Sequence, residues 1–212
     1  DVRLTLLAAE RKPLRHWTQV HLHHATGECM ARISMRYGAD ILPGTTVWAQ
    51  IVTDRRIAAL GSDRFVLRDE SATRTLGGGV VIDPFAPRAR ASAARAAMLE
   101  AMAGGRPSTA LPAMARVATQ TIDRTKFERT FNMAPRRAEE LYEAIGVLVL
   151  GKDSPVLVAR DRADQLRDAT LTLVSTFHKS RPLDRGVDAR TLRQRIAPWL
   201  PTDAFGHLLR ML

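Results

Sequence analysis

The sequence is poor in aromatic residues, cysteine and lysine, and it has no long apolar run. Aromatic residues make up 5% of the 212 residues, so aliphatic side chains and methionine must fill the core. The single cysteine, Cys29, excludes an intrachain disulfide and fits a reducing compartment. Apolar runs such as residues 147–150 are far shorter than the roughly 20 residues that a bilayer requires. The first residues become charged too early for a signal peptide, so we expect a cytoplasmic chain without membrane contact.

The sequence also lacks the motifs of common catalytic and nucleotide-binding sites. It contains no G-x-x-x-x-G-K-[ST], no G-x-S-x-G and no H-E-x-x-H. Three adjacent glycines, Gly77–Gly79, precede a predicted strand, whereas a phosphate loop places its glycines before a helix. We therefore expect no catalytic centre and no cofactor in this chain. We assign the glycines to a bulge or to a close approach of strands.

Four histidines lie close together in the sequence, namely His16, His21, His23 and His24. In a strand His21 and His23 share one face, because side chains alternate between the two faces. Two imidazoles need a third ligand to hold a metal ion, and Cys29 is the only thiol. We therefore favour either a polar face of the barrel or an RNA-facing surface over a metal site.

The first part of the chain has the pattern of short strands joined by turns. Thr26 and Gly27 separate the first two predicted strands and indicate a hairpin. Short strands at intervals of about ten residues are typical of a small sandwich or barrel. We expect an all-β barrel domain over residues 1–86. The predicted strands lie at residues 20–24, 29–35, 43–54, 63–69 and 79–83.

Beyond a proline-interrupted connector at residues 84–91 the pattern becomes helical. Three helices followed by a β-hairpin are the order of a winged helix, which we expect over residues 87–159. Its recognition helix is predicted at residues 135–146 and its wing tip at residues 151–154. A second helical cycle over residues 160–212 stops where a strand and a wing are due, so we expect an incomplete second winged helix. The predicted helices lie at residues 92–105, 107–118, 123–132, 134–146, 162–180, 188–198 and 202–212, and the hairpin strands at 147–150 and 156–159. The fold class is therefore multi-domain α+β.

The net charge is +10, and nearly all of the 32 basic residues are arginine. Arginine suits phosphate recognition because its guanidinium donates in a planar fork. A GC-rich genome also enriches arginine, so the bias has a second explanation. Residues 1–86 carry 11 basic and 9 acidic side chains, residues 87–158 carry 11 and 7, and residues 159–212 carry 10 and 6. The helical part is thus the more basic one, as expected for a chain that meets nucleic acid.

Arginines cluster at three places that favour RNA binding. One pair lies four apart in a single predicted strand and so shares a face, with a third arginine nearby. Another pair occupies a turn, and a further pair opens the predicted recognition helix, where the helix dipole favours an anion. Each of these side chains alone is equally compatible with a solvated surface. With the two histidines, the candidate RNA-binding residues are His21, His23, Arg55, Arg56, Arg64, Arg68, Arg74, Arg136 and Arg137.

Several stretches resemble one known family. The strings "LRHWTQVHLHHATGECMARI", "ILPGTTVWAQIV" and "GSDRFVLRDESATRTLGGGVVIDP" are similar to the third domain of the bacterial selenocysteine-specific elongation factor. That domain is a β-barrel akin to the third domain of elongation factor Tu. The string "LVSTFHKSRPLDRGVDARTLRQRI" is similar to the start of the family's second winged-helix repeat. The resemblance covers essentially the whole chain.

The resemblance implies a function that composition alone does not. Proteins of this family carry a GTPase domain and a second barrel before this region, and further winged helices after it. They deliver selenocysteyl-tRNA to the ribosome at a recoded UGA codon, and their last winged helices grip an mRNA hairpin. The resemblance thus implies that this chain is an internal fragment and that GTP and Mg²⁺ bind in a domain that is absent from it. We expect the fragment to be a monomer that is not itself an enzyme.

Two other readings remain open. The first is a winged-helix DNA-binding regulator with a β ligand domain, which needs base-reading side chains along the helix from Pro135 to Ile145. That helix carries Glu139, Glu140 and Glu143, whose carboxylates repel a phosphate groove, so this reading is disfavoured. The second is a structural spacer, which predicts no RNA affinity.

Overall fold

The chain folds into two compact units, as seen in a computed structural model that describes residues 1–35, 40–87, 92–118 and 121–212. The first unit comprises Asp1–Ala113 with Arg129–Asn132, and the second comprises Met114–Glu128 with Met133–Leu212. The domain boundaries at residues 86 and 159 stay predictions. Part of the predicted connector, residues 88–91, lies outside the described residues.

Six strands of the first unit form an antiparallel barrel, as expected from the sequence. They are β1 (Val2–Leu6), β2 (Gln19–His24), β3 (Gly27–Ser34), β4 (Thr46–Thr53), β5 (Arg64–Arg68) and β6 (Thr75–Val81). Their order in the closed barrel is β1-β4-β3-β2-β5-β6. The inward side chains form one core of aliphatic residues with a single phenylalanine, Phe65, because aromatic residues are scarce.

Two strands differ from the prediction. Strand β1 was not predicted, although Val2, Leu4 and Leu6 alternate with exposed residues in the period of a half-buried strand. Strand β6 begins at Thr75, so the glycines lie inside the strand and not before it. The predicted hairpin is confirmed, since β2 pairs antiparallel with β3 across a turn in which Ala25 has φ of +52°.

The three glycines of β6 allow its neighbours to approach closely. A Cβ atom on Gly78 would lie 2.5 Å from the carbonyl oxygen of Phe65, and Cβ atoms on the other two would overlap carbonyl oxygens of β1. The register of β5 against β6 also shifts between Leu67 and Arg68, which is a bulge. Gly77–Gly79 therefore serve strand packing, as expected, and do not form a phosphate loop.

Helix α1 (Ala93–Met102) is tied to the barrel within the first unit. The Arg95 guanidinium donates to the carboxylates of Asp1 and Asp83 at 2.6 and 2.5 Å, and all three side chains are largely buried. Trp48 on β4 donates from Nε1 to Glu100 of the helix at 2.9 Å. Buried charges need such pairing, so the cluster fixes the helix against the barrel.

The next elements have the order of a winged helix. They are α2 (Pro107–Val117), β7 (Ile122–Asp123), α3 (Arg124–Thr130), α4 (Pro135–Ile145), β8 (Val147–Leu150) and β9 (Val156–Ala159). The strands pair in the order β7-β9-β8. Asp123 caps α3, since its carboxylate accepts from the Lys126 N–H at 3.0 Å, and Gly146 ends α4 with φ of +72°. Like β1, the short strand β7 was not predicted from the sequence.

Three further helices complete the second unit, at the places predicted. They are α5 (Arg160–Ser180), α6 (Ala189–Ile196) and α7 (Thr202–Arg210). Leu150 and Val158 of the β8–β9 hairpin share one core with Leu192, Phe205 and Leu208 of the helices. The hairpin is therefore packed against these helices. Within the described ranges no helix is both long enough and apolar enough to cross a bilayer.

Candidate nucleic-acid interface

Two strands of the barrel, β1 and β5, place arginines on its outside, and β2 adds two histidines beside them. The register sets Arg64 of β5 beside Val80 of β6, and Val80 beside Arg3 of β1. It also sets His21 of β2 beside Arg68 of β5. These side chains point outward because their strand neighbours lie in the core. We call this surface the cationic barrel face, and its residues are Arg3, His21, His23, Arg64, Val66 and Arg68.

The three arginines of the cationic barrel face make no ion pair with any residue that the structure describes. Arg68 donates from Nη2 only to the Thr73 carbonyl at 3.4 Å, and its Nε is buried without a partner. Arg64 and Arg3 are exposed. Guanidinium groups that lack a carboxylate partner are free to donate to phosphate oxygens. The structure thus brings Arg64 and Arg68 together as predicted.

The two predicted histidines lie on the same face but are held by local contacts. The Nε2 atom of His21 lies 3.0 Å from the Glu70 carbonyl oxygen. The Nδ1 atom of His23 lies 3.6 Å from the Glu28 carboxylate, and its other nitrogen is buried without a partner. No group of three potential metal ligands occurs among the described residues. The two histidines thus lie on a polar surface, and their role in RNA binding stays a prediction.

Arg74 is neutralised by acidic neighbours. Its Nη1 atom donates to the Glu10 carboxylate at 2.5 Å, and its Nε lies 3.8 Å from Asp69. The Asp69 carboxylate also accepts from the Arg74 backbone N–H at 3.1 Å, and this hydrogen bond is the main cause that lowers the pKa of Asp69. Arg74 therefore lies beside the cationic barrel face without adding a free cation to it.

The predicted turn pair, Arg55 and Arg56, lies at the end of β4. Arg55 donates from Nη2 to the Glu28 carbonyl oxygen. Arg56 is exposed and makes no ion pair with the described part of the chain. In the barrel order, β3 and β2 lie between β4 and β5. Arg55 and Arg56 at the end of β4 are therefore separate from Arg64 and Arg68 on β5.

Helix α4 carries the last predicted pair. Arg136 forms an ion pair with Glu140 at 3.1 Å, while Arg137 is exposed and has no such partner in the described ranges. Glu139 pairs with Arg124 at 2.7 Å. The exposed face of α4 therefore has its charges mostly neutralised within the protein, which leaves a weak site for nucleic acid.

A half-buried network behind α4 was not indicated by the sequence. Arg124 and Tyr142 both donate to the Glu128 carboxylate, at 2.7 and 3.0 Å. Burial raises the pKa of Tyr142, and the neighbouring Glu128 raises it further. The network fixes α3 against α4 and is structural.

The wing turn, residues 151–154, is occupied by a side chain of the same unit. Three successive backbone N–H groups, those of Lys152, Asp153 and Ser154, donate to one oxygen of Asp203 at 3.0 to 3.1 Å. These hydrogen bonds, that of Ser154 first, lower the pKa of Asp203. Convergent N–H groups bind anions, and here the anion is a carboxylate from α7. The predicted wing tip is thus closed to an external phosphate.

Sequence reasoning missed Arg3. Its place on the cationic barrel face follows from β1, whose alternation puts Val2 and Leu4 inside and the residue between them outside. The alternation of apolar and polar residues at the start of the sequence was sufficient to predict β1 and the outward position of Arg3.

The fold defines a protein in which a closed barrel with a cationic outer face precedes a winged helix. Two family models match the chain. The one described as selenocysteine-specific elongation factor, beta-barrel domain, matches residues 1–88, and the one described as elongation factor SelB, winged helix, matches residues 171–212. The chain belongs to the selenocysteine-specific elongation factor family, of which it contains the barrel and winged-helix parts.

Two relatives agree with this assignment. The selenocysteine-specific elongation factor of Desulfomicrobium baculatum is 24% identical over 197 residues, which are 91% of this chain and 31% of that protein. The selenocysteine-specific elongation factor of Escherichia coli (strain K12) is 37% identical over 76 residues, which are 36% of this chain and 11% of that protein. The chain thus spans less than a third of the length of either relative.

Proposed function

We propose that this chain is the RNA-handling part of a selenocysteine-specific elongation factor, and that the cationic barrel face binds the backbone of selenocysteyl-tRNA. The observation that carries the proposal is the set of three outward arginines, Arg3, Arg64 and Arg68, without ion pairs in the described part of the chain. Free guanidinium groups on one surface suit the phosphates of a folded RNA.

The activity of the complete protein follows from the family. In this proposal the protein delivers selenocysteyl-tRNA to the ribosome at recoded UGA codons, in the cytoplasm, and contacts an mRNA hairpin through later winged helices. GTP and Mg²⁺ bind in a domain outside this chain, and the chain itself is not an enzyme. The absence of nucleotide-binding motifs from the sequence supports this division of labour.

The test is a tRNA titration with a double variant. We expect Arg64→Ala with Arg68→Ala to weaken the binding of selenocysteine tRNA about tenfold, because a net loss of about 0.7 kcal/mol at each of the two arginines sums to about 1.4 kcal/mol. Fluorescence anisotropy of labelled tRNA gives the affinity, and circular dichroism shows whether the barrel is intact.

The matched control removes two other arginines. Arg106 and Arg116 are exposed, lie outside the cationic barrel face and make no ion pair with described residues. Their double alanine variant should bind tRNA as the parent does. Equal weakening by both double variants would show that only total charge matters, and unfolding of the Arg64 and Arg68 variant would assign those residues a structural role.

The alternative of a DNA-binding regulator has weaker support. Its reading helix would be α4, where Arg136 is paired with Glu140 and the neighbouring Glu139 is paired with Arg124. A helix with so few free donors is poorly suited to reading base edges.

A further inference from the structure

An exposed tryptophan stands on the barrel beside the cationic barrel face. Trp17 is 45% exposed and has φ of +67°, a backbone conformation that a bulky residue rarely adopts. Exposed tryptophan gives up hydrophobic burial, and a left-handed backbone adds strain. Both costs at one residue point to a contact that this side chain makes with another molecule.

The strained backbone is fixed by hydrogen bonds to β3. The Trp17 N–H donates to the Ile33 carbonyl at 2.7 Å, and the Ile33 N–H donates to the Thr18 carbonyl at 3.1 Å. The preceding His16 accepts at Nδ1 from the Met35 N–H at 3.1 Å. The backbone of Trp17 is therefore fixed before any partner arrives, and the centre of the held His16 ring lies 5.7 Å from that of the indole. A fixed backbone lowers the entropic cost of binding.

The surroundings of the indole suit a flat, electron-rich ring. The Arg32 guanidinium carbon lies 5.9 Å from the centre of the Trp17 ring. A shallow cavity of about 350 Å³ lies next to the indole, and Met30 and Val52 contribute apolar atoms to its lining. Asp54 also lines it and is the acidic group on its rim. Tryptophan and arginine are the side chains on which nucleobases stack.

The cavity is continuous with the cationic barrel face. Gln19 lies beside Arg32 in the register of β2 against β3, and the two side chains are 3.5 Å apart. Gln19 donates to the Glu70 carboxylate at 3.0 Å, and the carbonyl of Glu70 lies 3.0 Å from His21. Arg32 and Arg68 are thus two strand spacings apart and offset by two residues along β2, so their Cα atoms are about 12 Å apart. An RNA strand on the cationic barrel face reaches the indole without leaving the sheet.

We propose that Trp17 and Arg32 form a stacking site for an unpaired nucleobase of RNA. The proposal rests on the proposed function, since it assigns a second contact to the same RNA-binding surface. The stacking site gives the surface a preference for RNA with an unpaired base, which phosphate contacts alone do not supply.

The test compares a single-stranded and a double-stranded probe. We expect Trp17→Ala to weaken the binding of an oligouridylate of about eight nucleotides roughly tenfold, and to leave the binding of a blunt RNA duplex unchanged. Trp17→Phe should restore most of the affinity because it keeps an aromatic face. Binding of oligouridylate should also quench tryptophan fluorescence in the parent and not in Trp17→Ala.

Two controls separate the possible failures. Trp17→Gly removes the ring, and glycine adopts a positive φ without strain. This variant therefore provides a folded protein without the indole if the alanine variant unfolds. If the Arg64 and Arg68 double variant binds RNA less well while every Trp17 variant binds like the parent, the stacking site is overturned and the proposed function stands. If no probe binds the parent, both proposals are overturned.

Discussion

Single residues fix the curvature of the barrel. Strand β6 runs between β1 and β5, and its glycines let the carbonyl groups of both neighbours approach more closely than a side chain permits. None of Gly77–Gly79 has a positive φ, so their role is the space they leave and not an unusual backbone angle. The sequence alone indicated this role, because the pattern around the glycines predicts a strand and not the helix that a phosphate loop requires.

A methyl group at Gly79 should therefore destabilise the barrel. The Cβ atom of Gly79→Ala would overlap the Arg3 carbonyl oxygen, which is backbone and cannot turn away. Overpacking of this kind costs about 1 to 3 kcal/mol, and urea unfolding measures it. Gly27→Ala is the matched control, since its Cβ would lie 3.7 Å from the nearest atom, the His24 carbonyl oxygen. Equal stability of both variants would show that the strands can separate without cost.

Elements are joined by contacts between residues distant in sequence, as the wing turn shows. The Asp203 carboxylate accepts hydrogen bonds from backbone N–H groups that lie about fifty positions earlier in the sequence. It closes the turn between β8 and β9 and ties that turn to the first turn of α7. A carboxylate that accepts several backbone hydrogen bonds is stabilised in its charged form, so the contact depends on pH.

Acid should remove this contact. The pKa of Asp203 is lowered below its ordinary value of 3.8, so its stabilisation is fully present above that value. The stabilisation is lost as the pH falls through the lower value of the folded state. We expect Asp203→Asn to lower the urea midpoint at pH 7, and the difference from the parent to shrink in acid.

The control for this experiment is Asp153→Asn. Asp153 is an exposed acid of the same turn whose carboxylate makes no ion pair with described residues. Its variant should unfold like the parent at both pH values. If Asp203→Asn is as stable as the parent at pH 7, the three hydrogen bonds contribute nothing beyond those that water would supply.

The strands and helices were easier to predict than their contacts. The β2–β3 hairpin and helices α5 to α7 follow from local patterns of apolar residues and turn residues. The pairing of Arg74 with Glu10 joins residues 64 positions apart, and no local pattern reports it. Arg74 was for this reason a candidate RNA contact in the sequence, although its charge is neutralised in the fold. The same limit explains why the closed wing turn was not foreseen.

The charge of the whole molecule leaves open which part binds RNA. The net charge is +10, and residues 1–86 contribute only +2 to it, from 11 basic and 9 acidic side chains. The barrel is thus the less basic part, yet Arg3, Arg64 and Arg68 lie on one face of it and make no ion pair with described residues. On α4, by contrast, Arg136 is paired and Arg137 is the one arginine without an ion pair among the described residues. The position of unpaired arginines, and not the total charge, supports the barrel as the RNA-binding part.

Salt dependence can show whether the arginines of the barrel or the more basic helical part contact the phosphates. Each phosphate contact adds about 0.9 to the slope of log affinity against log salt on a duplex. If the three arginines supply the contacts, the parent chain should show a slope of about −2.7 with selenocysteine tRNA, whose stems are duplex. Removing Arg64 and Arg68 should reduce its magnitude by about 1.8. An unchanged slope in that variant would place the phosphate contacts on the helical part, and the barrel would then be a spacer.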